Sequence, residues 1–255
     1  MKHLLTFSKT MAAWLVLLLV GLFVLPSKVA AQISFRDDFD YPEGNLHGQG
    51  GWVHYGSQTV DPIQVVGTAL TYPGYYEKAD GKSVRLGATK SAEDLHVRFT
   101  DNDEGIKEGN VYFSALINVE ACPKGNVYSL ALEPRTKKSV IAEGISPTEL
   151  GRVFFAPADN ADEVKIGVER GASKPVFAAE PLKLGQTYLV VMRYEINAVD
   201  QGMDNVYLYV NPASLKTEPE TPSAVIDGVN HTGSGVKSYG LQGLELRQGT
   251  NASTT

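Results

Sequence analysis

Val111-Tyr112-Phe113-Ser114-Ala115-Leu116-Ile117-Asn118-Val119 decides how this chain is read. Side chains on an extended strand point alternately to opposite faces. Val111, Phe113, Ala115, Ile117 and Val119 therefore share one face, and Tyr112, Ser114, Leu116 and Asn118 share the other. That pattern predicts a long strand with one buried face.

The same alternation recurs along the chain. Val206, Leu208 and Val210 interleave with Tyr207 and Tyr209 until Asn211-Pro212 ends the run. Further strand segments are read at 64–66, 83–86, 95–99, 127–132, 152–155, 164–168, 187–196 and 239–246, with Gly, Pro, Asn or Asp between nearly all of them. Residues 187–196 (TYLVVMRYEI) are partly apolar on both faces, which predicts a central strand. The pattern predicts an all-β fold, an antiparallel sandwich or barrel of about a dozen strands. Two stretches do not fit it. Residues 133–150 are charged at first and then carry a weak helical pattern, and residues 216–235, rich in Pro, Thr and Gly, read as a long loop. Such loops are either functional or tolerated surface insertions.

The first 31 residues differ from the rest. Lys2, His3 and Lys9 precede the apolar run MAAWLVLLLVGLFVL at 11–25, Pro26 breaks it, and Val29-Ala30-Ala31 offers small residues before Gln32. These are the parts of a secretory signal peptide. The apolar run is shorter than the roughly 20 residues that span a bilayer, so cleavage is expected rather than anchoring. No cysteine follows the run, which excludes lipid attachment there. The expected organisation is a signal peptide at 1–31 and one all-β domain at 32–255, with no membrane span after cleavage. The mature chain would hold 224 residues and a net charge of −9. An acidic surface repels phosphate backbones, so nucleic acid is not an expected partner.

Residues able to carry chemistry are few. One cysteine, Cys122, excludes an internal disulfide, and no histidine lies near it in sequence. It reads as a half-buried small residue at a strand end. His96 sits inside a strand pattern and is expected to face solvent or pack locally. His47 and His54 flank Gly48-Gln49-Gly50-Gly51-Trp52-Val53, a glycine-rich spacer that fixes no ligand geometry, so no metal site is assigned to them. His231 completes the mature set. Thr100-Asp101-Asn102-Asp103-Glu104-Gly105 resembles part of a calcium loop but has Tyr112 where the bidentate Glu would stand. A hairpin turn is the favoured reading, and a structural calcium ion is the only cofactor the sequence raises. No paired carboxylates fall on one strand face at the spacing glycoside cleavage needs. Asp37, Asp38 and Asp40 cluster around Phe39, Glu163 and Glu169 sit in a mixed-charge strand, and Glu133 follows its strand alone. No catalytic residue is assigned. Aromatic side chains with polar tips suit sugar recognition. Trp52, the only tryptophan of the mature chain, and Tyr72, Tyr75 and Tyr76 in one turn are the candidate ligand-binding residues, although covering the end of the core is the favoured role for such aromatics.

Residues 39–52, FDYPEGNLHGQGGW, carry a family resemblance. They resemble the opening of the concanavalin A-like, laminin-G-like jelly-roll domains of secreted Gram-negative proteins that use the type IX secretion system. The resemblance continues through 62–65, 70–75, 151–155, 165–168, 184–190, 208–212 and 246–249. It implies a two-sheet jelly roll and export to the cell surface or medium. It implies no activity, because this fold carries lectins, adhesive modules and hydrolases alike. Such domains usually close with another strand and precede a C-terminal sorting domain, whereas this sequence ends at Asn251-Ala252-Ser253-Thr254-Thr255. Either those parts are absent or the sequence is a fragment, and periplasmic residence stays open. The functional expectation is an exported, non-catalytic module that binds a glycan or cell-surface polymer. The alternatives are a polysaccharide hydrolase or lyase with an unrecognised site, and a purely structural domain of a larger surface protein.

Overall fold

The computed structural model describes residues 35–248 apart from 68, 76–80, 88–91, 137–138, 146, 172, 198, 200–202 and 229–238. The expected signal peptide, Tyr76 and His231 lie outside the described residues. Those residues form strands β1 (Gly44–Asn45), β2 (Val53–His54), β3 (Gln64–Val66), β4 (Ser83–Arg85), β5 (Leu95–Arg98), β6 (Gly109–Asn118), β7 (Val127–Pro134), β8 (Gly151–Pro157), β9 (Glu163–Arg170), β10 (Val176–Phe177), β11 (Leu182–Lys183), β12 (Thr187–Ile196), β13 (Asn205–Val210), β14 (Ala224–Ile226) and β15 (Leu241–Leu246). No helix among them is long and apolar enough to cross a membrane.

A larger sheet has the order β10-β9-β8-β7-β15-β5-β2, with β11 also paired to β9. A smaller sheet runs β14-β13-β12-β6, and a third pairs β1, β3 and β4. The described pairings are antiparallel. The chain passes between the two main sheets from β5 to β6, back to β7, again to β12, and returns at β15, which inserts between β5 and β7. The result is an all-β jelly-roll sandwich.

Alternation sets the core, and β12 shows how. It lies between β6 and β13, as its two-sided apolar character predicts. Val190, Met192 and Tyr194 are fully buried, and register places them beside Ala115, Phe113 and Val111 on β6 and Val210, Leu208 and Val206 on β13. Leu95, Val97, Leu130, Leu132, Leu244 and Leu246 supply the inner face of the larger sheet, and all belong to the same core cluster. Burying such side chains is worth roughly 1.5–3 kcal/mol each, and none of them could slip register without turning that face to water.

The described residues of 135–150 form no helix. They lie as a cover on the outer face of the larger sheet. Ile141 is buried and its N–H donates to Gln242 Oε1 at 2.8 Å. The Gly144 N–H donates to the His54 carbonyl at 2.9 Å. The cover explains why β15 is buried along its whole length. It also decides between the two expected places of His96, which packs fully buried beneath it rather than facing solvent. His96 Nε2 donates to the Ala142 carbonyl at 3.0 Å, and Nδ1 lies 2.9 Å from Glu133 Oε2. Burial pulls the His96 ring below its ordinary 6.5, outweighing the Ala142 carbonyl and the Glu143 charge. Burial also pushes the Glu133 carboxyl well above 4.5. Both directions make this a neutral pair in which the Glu133 O–H donates to Nδ1.

Candidate functional site

The polar half of the alternation builds the site. With the core residues of β6, β12 and β13 pointing inward, the intervening ones form two rows on the outside of the smaller sheet. One row is Tyr112-Arg193-Tyr207 and the other is Ser114-Val191-Tyr209. Tyr112 is 51% exposed, an unusual position for a large aromatic side chain.

Glu218, from the segment between β13 and β14, folds back over these rows. Its Oε2 accepts the Tyr112 hydroxyl at 2.8 Å, its Oε1 accepts the Tyr209 hydroxyl, and its Oε1 lies 3.1 Å from Arg193 Nη1. The Arg193 guanidinium stacks on the Tyr207 ring at 3.9 Å. The Tyr207 hydroxyl donates to Glu195 Oε2 at 2.9 Å. Tyr209 is buried.

Charge follows from these contacts. Burial, together with the hydrogen bond to Glu218, pushes Tyr112 and Tyr209 above the ordinary tyrosine value. Burial and the Glu195 contact do the same for Tyr207. Burial alone would raise Glu218, but the two tyrosine hydroxyls and Arg193 outweigh it and hold the carboxyl low. The face is therefore a fixed array of neutral hydroxyls and aromatic rings around one paired cation, with Glu195 and Glu218 making it slightly acidic.

The sequence-derived residues fall differently. Tyr75 joins the face: its hydroxyl lies 2.9 Å from Ser114 Oγ. Tyr72 is half-buried in the same turn, where its carbonyl accepts the Tyr75 N–H at 3.1 Å. Trp52 has to be removed from the ligand-binding set. It is 1% exposed within the core, and its Nε1–H donates to Asp37 Oδ2 at 2.7 Å, so neither ring face is open to a sugar. Tyr112, Arg193, Tyr207 and Glu218 were not singled out. The off-phase positions of the alternation carried the first three, since Tyr112 and Tyr207 stand opposite the inward residues of their strands. Glu218 carried no such signal.

Other candidates resolve more simply. In the 100–105 segment, Asp103 pairs with Arg98 at 2.7 Å, and Glu104 pairs with Lys107 and Arg135 at 2.6 and 2.8 Å. Asn102 Oδ1 accepts the Glu104 N–H at 3.0 Å, so these side chains build a turn between β5 and β6. Cys122 is half-buried. His47 and His54, which sequence spacing alone left unconnected, stack ring on ring with centroids 3.7 Å apart.

No family model matches the chain, and no curated protein matches it. Among solved structures it is similar to the globular domain of T. cruzi calreticulin, at 10% identity and TM-score 0.44 over 84% of this chain and 81% of that one. It is similar to a carbohydrate esterase from the Shiga toxin-encoding bacteriophage phi24B, at 13% identity and TM-score 0.47 over 86% and 93%. It is also similar to an endo-beta-1,4-glucuronan lyase from the fungus Trichoderma reesei, at 8% identity and TM-score 0.42 over 80% and 84%. Likeness at this level concerns the course of the backbone alone.

Proposed function

We propose that this protein is an exported, non-catalytic module that binds a neutral glycan on the outer face of its smaller sheet. The observation that carries this reading is the row Tyr112-Arg193-Tyr207, tied by Glu218 and Glu195 and flanked by Tyr75. Tyrosines have an apolar body and a polar tip, and fixed hydroxyls spare a ligand the cost of ordering them. Glu195 and Glu218 against Arg193 leave the face slightly negative, which favours neutral over uronic or sulfated sugars. The signal-like segment at 1–31 supports a location outside the cytoplasm.

A glycan array with the mature chain tests the reading. Binding to neutral oligosaccharides is expected, weakened about tenfold by Tyr112→Ala, equivalent to ~1.4 kcal/mol. Tyr75→Ala should weaken it as well. Absence of any glycan ligand, or binding indifferent to both substitutions, would overturn the reading. Release of reducing ends or unsaturated products from a polysaccharide panel would replace it with a catalytic one.

A further inference from the structure

We propose that His47, His54 and Glu143 form a binding site for a divalent transition-metal cation of the zinc class, with the buried Glu93 as a positioning residue. The three ligands come from separate segments: the turn before β2, the end of β2, and the cover between β7 and β8. One donor atom from each lies within 4.8 Å of the others. His47 Nε2 is 3.2 Å from Glu143 Oε2, and His54 Nδ1 is 2.5 Å from Glu143 Oε1. The second Glu143 oxygen also accepts the His54 backbone N–H at 3.0 Å, which holds the carboxylate in place.

His54 carries the argument. Both of its ring nitrogens face carboxylates: Nδ1 faces Glu143, and Nε2 lies 3.0 Å from Glu93 Oε1. A neutral imidazole has one N–H and one lone pair. Glu93 is 3% exposed and its other oxygen accepts the Ile63 N–H at 2.9 Å, so it is a fixed acceptor for Nε2–H. With Nε2–H held there, a ligating His54 would offer its Nδ1 lone pair to an ion between it and Glu143, whereas in the metal-free chain an imidazolium donating to both carboxylates satisfies the same contacts. A carboxylate behind a ligating histidine is the usual outer-shell arrangement of metal sites.

Two imidazoles and one carboxylate are a borderline donor set, suited to zinc and its neighbours rather than to calcium or magnesium, which take oxygen ligands. A zinc ion needs Zn–N and Zn–O distances of about 2.0–2.2 Å. Ion entry requires Glu143 to draw back and the His47 ring to turn out of its stack on His54, and the side chains of both are solvent-accessible. His47 and Glu143 both border solvent, so a fourth position is open to water. The two glutamates balance the charge of a divalent ion. Because its ligands bridge the cover and the sheet edge, a bound ion would tie residues 135–150 to β2.

Untagged mature protein, stripped with chelator, is titrated with ZnCl2 by calorimetry and followed by thermal melting. One zinc per chain and a raised Tm are expected, with no Tm shift from CaCl2. His47→Ala and Glu143→Gln should each weaken zinc binding at least tenfold while leaving the metal-free Tm near that of the parent, since both side chains are exposed. Glu93→Gln should weaken it by about 10–100-fold. No zinc uptake, uptake retained by the His47→Ala/Glu143→Gln double variant, or an equal response to calcium would overturn the proposal.

Discussion

Glu245 shows what a single side chain costs in this fold. It is fully buried on the outer face of β15, and neither carboxyl oxygen has a hydrogen-bond partner among the described residues. Burial, with the neighbouring Glu133, pushes its carboxyl well above 4.5. The folded chain therefore holds a proton that the unfolded chain has released, and stability present below pH 4.5 is lost as pH rises through the folded value. Each pH unit crossed costs about 1.4 kcal/mol. Glu245→Gln removes this loss. It should raise Tm at pH 8, and the gain should shrink toward pH 4 in a series of melts; an equal gain at both pH values would contradict the neutral-acid reading. At the proposed glycan-binding face, Glu218→Ala should lower affinity more than Glu195→Ala, because Glu218 holds two hydroxyls and Arg193 while Glu195 holds Tyr207 and the edge of Arg193. Titrating both variants against a bound oligosaccharide checks the order.

At the scale of elements, the long strands and the short β3 and β4 were legible, and the other short ones were not. β3 and β12 match their predicted bounds, and β6, β7, β9, β13 and β15 differ from theirs only at the ends. Each long strand has enough alternating positions to show its period. β1, β2, β10, β11 and β14 span two or three residues, too few for any periodicity. The cover at 135–150 looked weakly helical because its apolar residues contact a sheet face from above and need no strand period. The backbone junction between β5–β6 and β15 has a checkable cost. Gly105 has φ +68°, and a Cβ there would lie 2.4 Å from the Gly240 carbonyl oxygen. Gly105→Ala should lose roughly 2–3 kcal/mol in chemical denaturation, from left-handed strain and a backbone clash together. A loss below about 0.5 kcal/mol would mean the two segments are not in contact.

For the molecule as a whole, export is the property to measure first. The exported chain should begin at Gln32, which intact mass of the protein recovered outside the cytoplasm would show. A mass retaining residues 1–31 would make the segment an anchor instead.

The sequence by itself determined the all-β class, the central place of β12 and the inward faces of the long strands, because alternation is local and each strand writes its own. It pointed to tyrosines as candidate recognition residues, and one of them, Tyr75, lies on the outer face of the smaller sheet. It left Trp52 between ligand binding and core packing, since a polar-tipped aromatic looks the same in sequence whether its N–H meets solvent or the buried side of Asp37. Tertiary structure alone decided which off-phase residues became neighbours. Arg193 meets Tyr112 and Tyr207 only because β12 pairs with both β6 and β13. Glu218 reaches them only through the return of its segment across the sheet. His54 and Glu143 are 89 residues apart and meet only when the cover closes over β2. Register and loop return are long-range choices made by burial of the whole core, and no local pattern encodes them.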